Sequence, residues 1–379
     1  MVTRWVANRC LTLLTKPRWY YFPLALVCLV FYCEFLVYYV TLSFCRWPTN
    51  SDDNADHAKV IIIADTHLLG VYKGHWLDKL RREWQMHRAF QTAITLFPPD
   101  AVFFLGDLFD EGQWSTKEQF FTYVSRFHSL FAVDDKIQVY SVVGNHDIGF
   151  HYVIHPARIS WFREGFNSSA SVDIVDVRGN IFVLVNSMAM EGDGCQLCRA
   201  AEQEIVQIGR SLRCAMNKTA DCRNAKSLPV AYSQPILMQH FPLYRENDAL
   251  CSEPDEAPSK LKMHPNREKW ECLSRSSTNL LLDSLRPRAV FTGHTHYGCR
   301  TEWPTHSLVE WTVASFSWRN TPQPSFLLLS ASPKHLAVSK CLVPNEYTVI
   351  AVYIAGVILE LWWIVMYCKN CRRRKLRTN

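Results

Sequence analysis

Five short stretches of this chain concentrate residues able to hold divalent cations: Asp65-Thr66-His67, Gly106-Asp107-Leu108-Phe109-Asp110, Gly144-Asn145-His146-Asp147, Gln239-His240 and Gly293-His294-Thr295-His296. Carboxylates, imidazoles and one neutral amide oxygen make a donor set suited to two adjacent ions. Two such ions can bind the oxygens of a phosphoester, supply an activated water and absorb the charge that builds at phosphorus. His146 follows the amide ligand directly and is placed to act as a proton donor. Asp110, three residues after Asp107, is expected to orient that histidine.

Each stretch follows a short apolar run. Residues 59–63, 101–105, 138–143, 235–238 and 289–291 read as strands, and Gly106 lets the backbone approach closely at the end of one of them. Helices are expected between them. One runs from Trp76 to about Phe97, with Leu77, Leu80, Trp84, His87, Phe90 and Ile94 inward, and stops at Pro98-Pro99. Ser115 and Glu118 have the spacing of a capping box ahead of Phe120, Tyr123, Val124 and Phe127. A further helix spans Leu197–Leu212 with Ala200, Ile205, Ile208 and Leu212 inward, and Ser277 is expected to cap another that ends at Leu285. Residues 181–185, a half-buried stretch over Thr312–Asn320, and Ser325–Val338 add strands. Strand, ligand-bearing loop and helix in repetition are the pattern of an α/β core whose chemistry sits at the carboxyl ends of its strands. His151, Tyr152, His155 and Trp161 are candidates for a pocket wall or for plain surface, and Arg319 reads as a surface charge rather than a phosphate clamp.

Two apolar runs flank this core, about Tyr20–Phe44 and Tyr347–Tyr367, each near the ~20 residues that cross a bilayer as a helix. The first is too long for a signal-peptide core and reads as an uncleaved anchor. Arg4, Arg9, Lys16 and Arg18 precede it, and Lys369, Arg372, Arg373, Arg374, Lys375 and Arg377 follow the second, so both termini are expected in the cytoplasm and the middle in a lumen. Glu34 and Glu360 lie within the spans and are read as polar residues of helix packing. Setting aside the ten tail cations and these two acids turns the formal +6 into −2 for the rest, with no basic stripe for nucleic acid. The cysteines suit an oxidising lumen. Cys45 and Cys341 border the two spans, so a disulfide between them would clamp the ends together, while Cys195 and Cys198 are expected in separate structural disulfides. Asn167 and Asn217 head glycosylation sequons.

Taken in order, the metal-binding stretches resemble the calcineurin-like metallophosphoesterase superfamily over roughly Lys59–Lys340. That resemblance implies an α/β fold, a metallophosphoesterase β-sandwich flanked by helices, here with one transmembrane helix at each end. The expected division is 1–19 cytoplasmic, 20–44 membrane, 45–58 luminal linker, 59–340 luminal metallophosphoesterase domain, 347–367 membrane and 368–379 a cytoplasmic basic tail. The resemblance implies that Asp65, His67, Asp107 and His296 hold one metal, and Asp107, Asn145, His240 and His294 the other. His146, oriented by Asp110, would be the acid or electrostatic partner.

Within the superfamily, Asp65–Gly70, Gly74–Met86 and Ser315–Asn320 are similar to blocks of the membrane-bound enzymes that remodel GPI anchors. This likeness implies a phosphodiesterase that removes an ethanolamine-phosphate branch from a mannose by attack of a metal-bridged hydroxide. It implies manganese as cofactor, GPI-anchored proteins as partners, and membranes of ER exit sites, the ER–Golgi intermediate compartment and the cis-Golgi as the location, in support of export. The tail resembles a dibasic retrieval signal that would meet transport machinery, with Arg377 in place of a lysine. The metal motifs leave open a phosphatase or pyrophosphatase acting on nucleotides or lipid phosphates, and a non-catalytic receptor that binds GPI glycans. A receptor has no chemical need for the complete ligand set and His146.

Overall fold

The computed structural model describes residues 20–49, 57–168, 171–191, 193, 195–217, 222, 225, 228 and 231–376, without the side chains of 217, 374 and 375. The basic residues before the first apolar run, residues 51–56, Ser169, Lys218-Thr219 and Arg377 lie outside the described residues. The strands are β1 (Ala58–Ile63), β2 (Ala101–Phe104), β3 (Gln138–Ser141), β4 (Val172–Val177), β5 (Asn180–Val185), β6 (Ile236–Gln239), β7 (Ala289–Thr292), β8 (Cys299–Trp303), β9 (Leu308–Thr312), β10 (Ser325–Ala331) and β11 (Leu336–Leu342). The helices are α1 (Tyr21–Leu42), α2 (Trp76–Leu96), α3 (Lys117–Leu130), α4 (Asn145–Ile148), α5 (Pro156–Phe166), α6 (Gln196–Asn217), α7 (Ser259–Lys262), α8 (Arg275–Leu285) and α9 (Glu346–Lys375).

Two sheets face each other. One has the order β11-β10-β1-β2-β3 and the other β4-β5-β6-β7-β9-β8. The ligand-bearing strands run parallel within each, β1 with β2 and β2 with β3, then β6 with β7. Parallel neighbours bring their carboxyl ends to one edge, which collects the five stretches in one place. Successive side chains along a strand point to opposite faces. In β1, Val60 and Ile62 therefore enter the space between the sheets with Phe103, Leu327, Phe182, Met238 and Phe291. The Phe103 and Phe182 rings stack across the gap at 4.8 Å. Phe104 points the other way, against Phe90 of α2 and Phe127 of α3. Val183, Leu237 and Val290 of the second sheet turn likewise toward Ala201, Ile205 and Leu281 of α6 and α8. Strands buried on both faces read as unbroken apolar runs, which is why β1 and β2 were legible without alternation.

Several local expectations need correction. The box that starts α3 closes between Thr116 and Gln119, while the Ser115 hydroxyl donates to the Gly112 carbonyl. Ser274 caps α8, and Ser277 lies inside it. Ala201 replaces Ala200 on the inward stripe of α6. Leu77 and Leu80 are exposed, because α2 meets the sheet only from Gln85 onward. No strand runs through 313–320; β9 stops at Thr312, and the following residues fold back across the strand ends instead.

The described residues of Thr41–Val343 form one compact unit, and the described residues 20–40 with 344–376 a second. In the second unit, α1 and α9 are each long and apolar enough to cross a bilayer. They meet through Phe22 against Trp363 and Tyr367, and the Tyr353 hydroxyl donates to Glu34 at 2.6 Å. Glu34 lies in a π-helical turn over Tyr32–Leu36 and is thus hydrogen-bonded within the helix pair. In the larger unit, Cys45 is joined to Cys341, Cys214 to Cys222 and Cys251 to Cys299. Cys195 and Cys198 approach each other with their sulfurs 2.6 Å apart, rather than joining separate partners, and Cys272 is a buried free thiol.

The Phe103–Phe182 stack should carry a measurable share of the stability. Phe103→Ala is expected to cost about 3–5 kcal/mol through lost burial and the cavity left behind. Urea unfolding of the purified protein reads this directly, and an unchanged midpoint would contradict the packing described.

Candidate metal centre

Asp65 and His67 follow β1, Asp107 and Asp110 follow β2, Asn145 opens α4 after β3, His240 follows β6, and His294 and His296 follow β7. The two groups that converge share one carboxylate. Ligand atoms of Asp65, His67, Asp107 and His296 lie within 4.8 Å of one another, and so do those of Asp107, His240 and His294. The Asn145 Oδ1 joins the second group, 3.1 Å from His240 Nε2. Asp107 Oδ2 stands 3.5 Å from His67 Nε2 and 3.3 Å from His240 Nε2, between the groups.

The local backbone is bent to allow this. Asp65, His67, Asp107, His294 and His296 all have positive φ, between 44° and 74°. Such conformations cost on the order of 1–3 kcal/mol each and persist where the surroundings enforce them. The enforcement is visible. Ser315 donates its hydroxyl to the Asp65 carbonyl at 2.6 Å, and Phe316 N–H donates to the Ala64 carbonyl. Gln85 holds that returning segment through Phe316 O and Trp318 N. Gly144 is required by space, since a Cβ there would lie 2.2 Å from both the Asp107 amide and its Oδ1.

Electrostatics define what the site needs. Asp65, Asp107 and His240 are fully or almost fully buried. The nitrogens of His67 and His296 face each other at 3.0 Å, and those of His240 and His294 at 3.2 Å. Buried carboxylates with imidazole nitrogens crowded about two points are unfavourable without compensating positive charge. Burial opposes charge on His67, yet Asp110, Asp65 and Asp107 outweigh it and lift the imidazole to about 10. His240 rises to about 9 for the same reason, with Asp107 the main partner against burial. His294 and His296 fall to about 3 and about 4, burial dominating, and so remain the neutral imidazoles that bind cations. The donors present therefore fit two divalent ions.

Around this set, Asp110 plays two parts. Its main-chain carbonyl accepts from His146 Nδ1 at 3.0 Å. Its carboxylate stands 3.2 Å from His67 Nδ1 and is flanked by Lys73 Nζ and Arg319 Nη2 at 3.2 and 3.3 Å. Burial pushes that carboxyl upward, but His67 holds it well below the usual carboxylate range. Arg319 is thus a residue of the site, correcting its reading as plain surface, and Lys73 was not anticipated. Asp147, named in the third stretch as a cation-binding type of residue, instead is buried and accepts from the Phe109 and Gly144 amides at 3.0 and 2.8 Å, stapling two loops of the site together. Burial and Asp107 push it up to about 7. Trp270, 24 residues before His294, accepts that histidine's Nε2 on its carbonyl at 2.6 Å. Of the pocket-wall candidates, His151 turns to Asp193, His155 caps α5 and Trp161 packs on Phe120. Tyr152 stays exposed beside Trp270.

A family model described as calcineurin-like phosphoesterase matches residues 58–298. The chain belongs to that family. A calcineurin-like phosphoesterase is a metal-dependent enzyme, and its two-metal centre is matched here by the two ligand groups that meet at Asp107. Similar curated proteins include Metallophosphoesterase 1 of Gallus gallus, 44% identical over 351 residues and covering 88% of this chain and 87% of its own. Metallophosphoesterase 1 of Ailuropoda melanoleuca is 44% identical over 341 residues, covering 88% and 86%. The Metallophosphoesterase 1 homolog of Drosophila melanogaster is 43% identical over 348 residues, covering 91% and 92%.

The shared position of Asp107 gives a sharp expectation for this calcineurin-like centre. Gly144→Ala should displace Asp107 and drop bound metal from about two ions per chain to below one. Elemental analysis of the purified full-length protein decides it: two ions retained would show that Asp107 does not depend on the space at Gly144.

Proposed function

We propose that this phosphoesterase is a phosphodiesterase that removes an ethanolamine-phosphate side branch from a mannose of GPI anchors, with Asp65, His67, Asp107 and His296 holding one metal and Asp107, Asn145, His240 and His294 the other. Manganese is the proposed metal. Divalent ions bound there supply Lewis acidity and an activated water for attack on phosphorus. The observation that carries the reading is the complete donor set with His146 beside it. The contact between His146 Nδ1 and the Asp110 carbonyl commits Nδ1 as a donor, since a carbonyl only accepts, and leaves Nε2 for the substrate. Removal of the whole branch breaks the bond between phosphorus and the mannose oxygen. That oxygen leaves poorly as an anion. With Nδ1–H committed to the Asp110 carbonyl, the imidazolium form of His146 carries a second proton on Nε2, and its transfer to the departing mannose oxygen lowers the barrier and leaves the ring neutral. Lys73 and Arg319, each about one-third exposed beside Asp110, offer positive charge to the phosphoryl oxygens.

The similarity of Asp65–Gly70, Gly74–Met86 and Ser315–Asn320 to GPI-remodelling enzymes supports the substrate. The two long apolar helices and three disulfides support an enzyme anchored at an oxidising lumen, with both termini cytoplasmic. We place it between ER exit sites and the cis-Golgi, with GPI-anchored proteins as substrates in transit and transport machinery as a contact of the basic tail.

In cells lacking this protein, mass spectrometry of a GPI-anchored reporter should show a retained ethanolamine phosphate on mannose, removed by the wild type. His146→Asn should slow turnover of a simple phosphodiester by about 10²–10⁴-fold, and Asn145→Ala should abolish it. Unchanged reporter glycans would defeat the GPI assignment, and undiminished turnover by Asn145→Ala would remove the metal centre from the chemistry.

A further inference from the structure

Next to the metal-ligand cluster lies an aromatic group that the chemistry above does not use. Tyr152 is 66% exposed and Trp270 43% exposed, unusual values for rings set against a buried polar centre. Their centroids are 6.0 Å apart, and Phe150 fills the space beneath, 5.2 Å from Trp270 and 6.1 Å from Tyr152. Phe150 rests in turn on Phe241, whose ring lies 4.1 Å from His294. The group is therefore continuous with the metal-facing wall, and the Trp270 main chain is tied to it through His294.

Charge restricts what this platform can take. The Arg267 guanidinium lies 5.0 Å from the Trp270 ring centre and is held there by Glu271 through paired hydrogen bonds. A cation already over the indole disfavours a second one, so the group is not a cage for an ammonium. What remains open is the Tyr152 ring and the part of the indole that Arg267 does not cover, bordered by that guanidinium and the half-buried Glu271 carboxylate paired with it. A pyranose has that complement: an apolar face of C–H bonds to lie on an aromatic ring, and vicinal hydroxyls to meet charged hydrogen-bonding groups at its edge.

We propose that Tyr152 and Trp270, backed by Phe150 and edged by Arg267 and Glu271, form a subsite that binds a pyranose ring of the substrate beside the metal centre. The inference rests on the phosphodiesterase reading above and deepens it, because a sugar seated here would present its phosphoryl substituent to the ligand cluster. Tyr152 and Trp270 are then specificity residues, separate from the groups that move protons or hold metal.

The test compares two substrates on the full-length, manganese-loaded protein in detergent: a mannose bearing an ethanolamine phosphodiester, and the ethanolamine phosphodiester of methanol. Wild type should favour the mannosyl compound. Tyr152→Ala and Trp270→Ala should each lower the ratio of kcat/KM values, mannosyl over methyl, by about tenfold through KM, whereas Tyr152→Phe should keep the ratio. A ratio is unaffected by the fraction of chains folded. If both variants slow the two substrates equally, the aromatics merely prop His294 and the subsite is overturned while the phosphodiesterase reading stands. An unmoved ratio has the same meaning. If wild type cleaves neither compound, the phosphodiesterase reading itself fails and takes the subsite with it.

Discussion

The structure depends on holding Asp65 and Asp107 side by side in a place that excludes water. Two buried carboxylates repel one another and lack hydration, so the arrangement is tenable only with positive charge between them. The protein supplies some of that charge, in the raised His67 and His240. Divalent ions would supply it more fully, and in doing so relax the crowding of nitrogen against nitrogen at both points of convergence. A site unfavourable for the chain alone is then favourable for metal, which is a physical basis for affinity rather than a consequence of it.

That local cost is carried by the scaffold. Parallel strands bring their carboxyl ends to one edge, and a β-sandwich covered on both outer faces leaves those ends little freedom. Of the five candidate ligands at positive φ, Asp65 is fixed from outside by the Ser315–Phe316 turn with Gln85 behind it, and the loop of Asp107 by the Asp147 staple. Glycine appears where no Cβ would fit, at Gly106 against the His240 imidazole and the Gly144 amide, and at Gly144 against Asp107. Fold and site are thus coupled in both directions: stiffness permits strain, and strain sets the aim of the side chains.

Much of this was readable from the chain itself. β1, β2, β6 and β7 are buried on both faces, so their apolar runs stand out, and each is followed by a residue read as a ligand. The converging groups contain the residues read as ligands because strand ends constrain two or three residues strongly. What escaped depends on long-range packing. Arg319 looks like any surface cation until the 313–320 segment folds back over β1, and Trp270 sits in a polar loop with no periodicity to mark it. Thr312–Asn320 alternates like a strand but is buried by closing over the site, which no local pattern encodes. The exposed start of α2 is a similar case, since its leucines keep helical spacing beyond the point where the sheet ends.

Asp107, common to both candidate ligand groups, is proposed to belong to two metal ions at once. Electron paramagnetic resonance of the manganese-loaded protein tests this most directly. A shared carboxylate at a dinuclear centre predicts the spectrum of an exchange-coupled pair, replaced by that of isolated manganese in Asp107→Asn. Isolated-ion spectra from the wild type at full loading would contradict the account.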